Sequence, residues 1–255
     1  MNGTLALFYR EMKIWTRRPV VPFLTFISPL TYFLIFGPVL STLIPPVKVG
    51  EVSVEYIVFI SPGILTILML NTCIMSSLMT LFLDRRSGMF EFLMGCPVSK
   101  LAYLLARFMA SISQTVLQTS VLLLLGCVVF RFSLSLVGVL TFFTGVILGT
   151  IFFLSVMLII ATKITDQDTF NALLNFSMPP LIFTSTAFYS VQLLPEPLAT
   201  VAKVNPLSYV IEFLRAGLLN IFTDSTIFTI LFFIVITFAI CLASIIAFLR
   251  SEMLR

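Results

Sequence analysis

The chain has 255 residues, of which 59% are hydrophobic and only 10% are charged, and its formal net charge is +4. A soluble domain carries about 25% charged residues, so this composition excludes a protein with water on all sides and indicates an integral membrane protein. The sequence has no histidine, which excludes imidazole catalysis and histidine-based metal sites, and its four scattered cysteines do not fit a disulfide framework or a zinc site.

The N-terminal segment 4–18 is predicted to form an amphipathic helix. Leu5, Phe8, Met12 and Trp15 recur at helical spacing, with basic and polar residues between them. This pattern is typical of a helix that lies in the cytoplasmic membrane interface, with Trp15 at the depth of the lipid headgroups. A frayed tail is the alternative.

Six long apolar runs follow, and each exceeds the ~20 residues that a helix needs to cross the hydrocarbon core. The short alternating segments of a transmembrane barrel are absent. The sequence therefore predicts an all-α integral membrane fold in which residues 1–255 form a single transmembrane domain. The predicted spans are about 20–44, 56–83, 104–130, 134–162, 169–191 and 225–249.

The basic residues predict the orientation of these spans. With the N-terminus inside, eleven of the fifteen lysines and arginines fall in cytoplasmic segments, as the positive-inside rule requires. Both termini and segment 84–100 are therefore predicted to be cytoplasmic. The four basic residues predicted outside are Lys48, Arg131, Lys203 and Arg215.

Segment 84–100, DRRSGMFEFLMGCPVSK, interrupts two apolar runs with charges, glycines and a proline. The apolar side of its predicted helix carries Phe90, Leu93 and Met94, and the polar side carries Asp84, Arg85, Ser87 and Glu91. The helix is predicted to end near Gly95, because Pro97 disfavours helical geometry at the preceding residue. Two interpretations remain open: a short helix that docks into a groove of a partner protein, or an interfacial turn whose arginines only follow the positive-inside rule.

Neutral amides are the notable polar side chains within the spans. Gln114 and Gln118 share one face of the third predicted helix, Asn171 and Asn175 share one face of the fifth, and Asn71 lies in the second. Hydrogen bonds between helices are one interpretation. The other is that these amides line a passage for an amphipathic substrate.

The outer segment 192–224 is long for a simple turn. Glu212 and Arg215 are three residues apart and are predicted to pair on one helical face. Apolar flanks predict that this segment is partly embedded and caps the outer end of a pathway. A surface helix held by its leucines is the alternative.

The uncharged cores of the six spans exclude several function classes. Ion-driven carriers and voltage sensors place ionisable groups inside the membrane, and intramembrane enzymes need catalytic side chains there. We therefore predict no catalytic, cofactor-binding or metal-binding residues, and the chain is not expected to be an enzyme. The sequence also has no G-x-x-x-x-G-K-[ST] motif, so uphill transport would require an external motor.

Two segments and one shorter stretch resemble the type-2 ATP-binding cassette (ABC) exporter permeases. The first matches that family's pattern in its first cytoplasmic loop, at Asp84, Arg85, Gly88, Glu91, Leu93, Pro97, Val98 and Ser99. The second, residues 188–219, is similar to the signature near the fifth helix, at Leu194, Pro195, Asn205, Pro206, Leu207, Tyr209 and Arg215. The stretch FISPGIL, residues 59–65, is a third match.

The resemblance implies a multidrug, nodulation-factor or polysaccharide export-like permease in a prokaryotic inner cell membrane. Such a permease forms a homodimer or heterodimer in the lipid bilayer and pairs with two separate ATP-binding subunits, which hold ATP and Mg. No nucleic acid is expected as a partner. The implied ATPase-coupling residues are Asp84, Arg85, Arg86, Gly88, Phe90, Glu91, Leu93 and Pro97. The implied re-entrant outer gate comprises Leu194, Pro195, Asn205, Pro206, Tyr209, Glu212 and Arg215.

Two functions therefore follow from the sequence. The first is the transmembrane subunit of an ATP-driven exporter for an amphipathic or lipid-linked drug, lipid or glycan. The alternative is an ATP-independent channel or membrane scaffold, which also needs no ionisable core but has no use for a coupling segment.

Overall fold

The computed structural model describes residues 3–49, 52–96, 98–130, 132, 134–164, 166–191 and 194–250, and these are almost entirely helical. The helices are α1 Gly3–Arg17, α2 Val20–Thr31, α3 Gly37–Leu43, α4 Tyr56–Thr72, α5 Met79–Arg86, α6 Met89–Gly95, α7 Lys100–Phe130, α8 Leu136–Lys163, α9 Gln167–Phe183, α10 Glu196–Val204, α11 Pro206–Leu219 and α12 Asp224–Arg250. Two short strands, β1 Val47–Val49 and β2 Val52–Val54, pair antiparallel between α3 and α4.

Among the described residues, five continuous helical segments are long and apolar enough to cross a membrane. They are Pro22–Leu43, Tyr56–Met75, Lys100–Phe130, Leu136–Lys163 and Thr226–Arg250. This finding confirms the predicted helical, multi-pass membrane fold. The count of six spans stays a prediction, because the fifth predicted span corresponds to α9, which has only 17 residues.

Helix α9 ends earlier than the sequence predicted. The predicted span runs to residue 191, whereas α9 ends at Phe183. Pro179 and Pro180 lie within its last turns, and each removes a backbone donor. The uncharged run continues beyond Phe183, but an absence of charge does not indicate that a helix continues.

The first two membrane helices each contain a π-helical turn. Tyr32–Phe36 separates α2 from α3 and follows shortly after Pro29, and Cys73–Leu78 separates α4 from α5. Wider turns and prolines are common causes of irregularity in long helices. The first membrane helix is therefore irregular within a few residues of Pro29.

Helix α11 packs deep within the bundle against α8. A Cβ at Gly217 would lie 2.9 Å from the carbonyl oxygen of Gly138, and a Cβ at Gly149 would lie 2.9 Å from Val210. Gly138 is near the start of the 28-residue α8 and Gly149 is near its middle. Helix α11 therefore runs antiparallel to α8 and begins at the level of its midpoint. Insertion of this segment into the membrane from the outside stays a prediction.

Candidate functional site

The segment predicted to couple to an ATPase divides into two helices. Helix α5 continues the second membrane helix to Arg86, and Gly88 then adopts φ 68°, a left-handed conformation that glycine accepts without strain. Helix α6 follows and ends at Gly95, where Cys96 becomes extended with ψ 160°. The predicted end of the helix near Gly95 agrees with this geometry.

Helix α6 has one anchored face and one outward face. Phe90 is buried, with its ring edge-to-face against Tyr103 at 5.5 Å between centroids. Glu91 is exposed, and the side chain of Phe92 is 68% exposed. Phe92 was not among the residues predicted from the sequence, because periodicity alone does not indicate which aromatic ring turns inward. An apolar side chain this exposed is the signal that identifies it.

A buried ion cluster lies at the base of this segment. Asp84 Oδ1 accepts from Arg10 Nη2 at 2.7 Å, and Asp84 Oδ2 accepts from Arg107 Nη2 at 2.6 Å. The Tyr103 hydroxyl donates to the same carboxylate at 3.1 Å. Glu11 adds a second carboxylate, 3.2 Å from Arg10 and 3.8 Å from Arg107. The cluster therefore joins α1, α5 and α7 immediately before the turn into α6.

The position of Asp84 differs from its prediction. The sequence placed it on the polar side of a surface helix, but it lies in α5 and is only 4% exposed. Burial raises the pKa of the Asp84 carboxyl, but the hydrogen bond from Arg10 and the charge of Arg107 outweigh that effect and hold its pKa below the ordinary value. Asp84 is thus an ionised structural anchor.

The other predicted coupling residues have varied surroundings. The guanidinium of Arg85 lies over the ring of Phe82 at 5.7 Å, whereas Arg86 is exposed and Leu93 is half-buried. Pro97 lies outside the described residues. The face available to a partner is therefore narrower than the sequence predicted and centres on the exposed side of α6.

In the outer segment, Asn205 holds the junction between α10 and α11. Its side-chain oxygen accepts from the amide of Leu207 at 2.9 Å and caps α11, in which Pro206 is the first residue. Its amide nitrogen donates to the carbonyl of Leu181 at 2.7 Å and to Thr184 Oγ1 at 3.0 Å. Asn205 therefore satisfies a carbonyl at the end of α9.

Arg215 anchors the middle of α11. Its guanidinium is buried, pairs with Glu212 as predicted, and donates to the carbonyl of Thr186 at 2.8 Å and to that of Phe59 at 3.3 Å. It also lies over the Phe59 ring, 4.0 Å from the centroid. Arg215 thus connects α11 to α4 and to the loop after α9.

The remaining predicted outer residues have lesser contacts. Pro195 precedes α10 at its N-cap, and Leu194 beside it is half-buried. Tyr209 packs against Phe232 of α12 at 5.5 Å between ring centroids. The structure therefore brings Asn205 and Arg215, but not every predicted gate residue, onto the loop that follows α9.

The five amides of the spans do not form one group. Gln118 accepts from the Thr72 hydroxyl and donates to Thr25 Oγ1 at 3.3 Å, which connects α7 with α4 and α2. Gln114 is also buried, but its Oε1 has no hydrogen-bond partner within the part of the chain that the structure describes. The other three amides are exposed or half-buried: Asn71, Asn171 and Asn175. The contacts of Gln118 favour its interpretation as a connection between helices.

This difference between the two glutamines predicts opposite effects of the same substitution. Gln118→Leu should destabilise the protein by roughly 1 kcal/mol, since each interhelical hydrogen bond contributes about 0.6 kcal/mol. Gln114→Leu, the matched control, should be neutral or slightly stabilising, because it removes an unsatisfied buried oxygen. Thermal unfolding in detergent compares the two variants. Unchanged stability of Gln118→Leu together with altered substrate transport would favour a passage-lining role instead.

The comparisons with known proteins agree with these features. A family model described as "ABC-2 type transporter" matches residues 2–219. Transport permease ycf38 of Porphyra purpurea is 27% identical over 222 residues, covering 85% of this chain and 74% of the relative. The protein of the same name from Pyropia yezoensis is 27% identical over 206 residues, covering 79% and 68%. Since the family model spans the anchored α6 and the buried α11 together, the chain belongs to the ABC-2 type transporter family.

Proposed function

We propose that the chain is the transmembrane permease subunit of an ATP-driven exporter, in which two separate subunits bind ATP and Mg and hydrolyse the nucleotide. Its substrate is an amphipathic or lipid-linked compound, such as a drug, lipid or glycan, that leaves the cytoplasm or the inner leaflet. The chain itself carries no catalytic residues. The exposed face of α6 is the single observation that carries this proposal.

The arrangement of α6 supports a docking role. Phe90 fixes the helix to α7 through Tyr103, so Phe92 and Glu91 point away from the body of the protein. A short helix with an exposed aromatic anchor beside a charge fits a groove on a partner. A helix that only followed the positive-inside rule would have no reason to expose a phenylalanine on its cytoplasmic side.

The ion cluster supports transmission of force from that helix. Asp84 lies five residues before Met89, the start of α6, and is bound to arginines of α1 and α7. Movement of α6 is therefore passed to three helices at once. A partner ATPase that moves α6 would therefore also move α1, α5 and α7.

Assembly and location belong to the same proposal. The permease works as a homodimer or heterodimer in the inner cell membrane of a prokaryote, with both termini in the cytoplasm. The largely exposed α9, on which Phe176 is 81% exposed, supplies an apolar face for a second permease subunit or for lipid. The outer segment held by Arg215 closes the outer end of the pathway.

The outward residues of α6 predict a specific defect in coupling. Phe92→Ala should weaken association with the ABC ATPase by about 30-fold or more, the effect of losing a central aromatic anchor. Glu91→Lys should abolish transport-coupled ATP hydrolysis. Both variants should fold normally, because both side chains are exposed. Co-purification with the ATPase encoded in the same genome, followed by measurement of ATP hydrolysis in proteoliposomes, tests both.

The matched control is Leu101→Ala, which removes an exposed apolar side chain from the first turn of α7. It should leave association and hydrolysis unchanged. If Phe92→Ala and Glu91→Lys behave like this control, the docking role of α6 is wrong. If no ABC ATPase binds the wild-type protein, the channel or scaffold alternative replaces the exporter.

A further inference from the structure

The C-terminal part of α1 and the residue that follows it carry basic side chains that the proposed function does not use. Lys13, Arg17 and Arg18 are exposed and border a cleft of about 410 Å³ along that helix. In the described ranges, no carboxylate oxygen lies within 4 Å of their side-chain nitrogens, whereas Arg10 in the same helix is paired with Asp84. Three neighbouring positive charges are thus available to an anionic ligand.

A second, apolar cleft is lined in part by the same helix end, at Trp15. Its volume is about 210 Å³, and its lining includes Trp15, Phe23, Phe26, Leu117, Gln118 and Val121. Three of these apolar side chains remain about half exposed or more: Phe23 at 61%, Leu117 at 50% and Val121 at 48%. The cleft therefore opens outward between α1, α2 and α7.

With the N-terminus in the cytoplasm, as predicted from the basic residues, the packing of α1 places both clefts near the inner surface of the membrane. Helix α1 runs along α7, since Gly3 is beside Val98, Glu11 is beside Arg107, and Trp15 shares a cleft with Leu117. The apolar span Pro22–Leu43 begins four residues after Arg18. Arg17 and Arg18 therefore lie where the first membrane helix starts, which is the depth of lipid phosphates.

We infer that the junction of α1 and α2 is a binding site for an anionic phospholipid of the inner leaflet. The phosphate and its negative headgroup lie against Arg17 and Arg18 with Lys13 beside them, and one acyl chain lies in the cleft between Trp15 and Val121. Charge complementarity selects the headgroup, and the open apolar cleft selects a ligand with a hydrocarbon chain. A free phosphate satisfies only the first condition. This inference rests on the proposed cytoplasmic location of the N-terminus but not on the proposed export function.

The site also has a structural consequence. Gln118 lines the apolar cleft and connects α7 to Thr25 and Thr72. A lipid bound there covers this connection from the outside and holds α1 against α7. Occupancy of the site should therefore stabilise the folded protein, because a ligand that binds only the native state raises its free energy of unfolding.

Native mass spectrometry of the full chain in detergent tests the inference. Phosphatidylglycerol is compared with phosphatidylcholine that has the same acyl chains, and glycerol phosphate is the probe without a chain. We expect retention of phosphatidylglycerol only. The triple variant Lys13→Gln, Arg17→Gln, Arg18→Gln should lower its affinity on the order of 100-fold, and Arg18→Gln alone about fivefold.

Two matched controls separate this site from general attraction to the protein. Lys100→Gln, Lys163→Gln and Arg250→Gln together remove the same charge elsewhere on the predicted cytoplasmic side and should leave retention unchanged. Val121→Trp, which fills the cleft, should weaken retention roughly tenfold, as expected for the lost burial of about two methylene groups. Val128→Trp, at an exposed position two turns further along the same helix and outside the lining of the cleft, should have no effect.

Several results would overturn the inference. Equal retention of phosphatidylcholine would remove the role of charge, and equal binding of glycerol phosphate would identify a simple phosphate site. An equal loss of phosphatidylglycerol retention in both triple variants would indicate that the lipid is attracted by the net positive charge of the protein and not by this site. Arg18→Gln leaves the core unchanged, so wild-type retention in that variant counts against the site even if the triple variant fails to fold.

Discussion

Replacement of Asp84 by asparagine is expected to destabilise the protein by about 3–5 kcal/mol, the cost of removing one partner from a buried ion pair. The asparagine would leave the buried guanidinium of Arg107 and the half-buried guanidinium of Arg10 with Glu11 as a shared carboxylate. Because unfolding temperatures of proteins of this size fall by about 2–4 °C per kcal/mol, the thermal midpoint in detergent should fall by about 10 °C.

The exposed carboxylate of Asp168 provides the matched control. Asp168→Asn changes the same functional group near the same membrane surface and should shift stability by no more than about 0.5 kcal/mol. A double variant, Asp84→Leu with Arg107→Leu, should recover part of the loss, since apolar residues can replace a buried ion pair at little cost. If Asp84→Asn is no less stable than Asp168→Asn, the ion cluster does not hold these helices together.

The lowered pKa of Asp84 adds a dependence on pH. Folding favours the ionised carboxylate, so its stabilising contribution is fully present above the ordinary value of 3.8 and is lost as the pH falls through the lowered pKa. The difference in unfolding temperature between wild type and Asp84→Asn should therefore be constant from about pH 5 to pH 8 and should narrow in stronger acid. A difference that narrowed near neutral pH would contradict this assignment.

The local features of segment 84–100 could be predicted from the sequence. Pro97 alone indicates where α6 ends, because a proline restricts the residue before it, and Cys96 is extended. Long uncharged runs likewise indicate membrane helices, because a charged side chain in hydrocarbon is costly. Both inferences depend on neighbouring residues and on the solvent, and neither requires knowledge of the tertiary structure.

The partners of the buried charges could not be predicted in this way. Arg10, Asp84 and Arg107 meet from three helices, and the first pair is separated by 74 positions. Their sequence surroundings suggested only cytoplasmic basic and acidic residues. The orientations of Phe90 and Phe92 also could not be predicted from the sequence. The packing of α6 on Tyr103 decides which of the two rings is covered.

In the outer segment, one contact could be predicted from the sequence and others could not. Pairing of Glu212 with Arg215 follows from helical spacing alone, but the carbonyls of Thr186 and Phe59 reach the same guanidinium from other parts of the chain. A close approach supports this arrangement: a Cβ at Gly63 would lie 2.7 Å from the backbone of Ala187. The loop after α9 is thus held between α4 and Arg215.

Arg215→Met is expected to loosen this loop and to destabilise the protein by about 3–5 kcal/mol. The carbonyl of Thr186 would lose its partner at a cost of about 1–3 kcal/mol, and the desolvated contact with the Phe59 ring contributes about 2 kcal/mol more. Arg215→Lys should recover part of the loss, because a lysine keeps the charge but not the planar fork of donors. Thermal unfolding should therefore give midpoints that decrease from wild type to Arg215→Lys to Arg215→Met.

A cysteine at position 186 distinguishes local loosening from general instability. Thr186 is 2% exposed, so Thr186→Cys should react slowly with a membrane-impermeant maleimide, measured against a protein with only the native thiols. When Thr186→Cys is combined with Arg215→Met, the new cysteine should react faster with the maleimide at temperatures well below unfolding. The reason is that no guanidinium then holds the backbone at position 186. Lys203→Met, which removes an exposed charge from α10, is the control and should leave the rate unchanged. Equal rates in all three backgrounds would mean that Arg215 does not hold the loop, and that its pairing with Glu212 is the extent of its role.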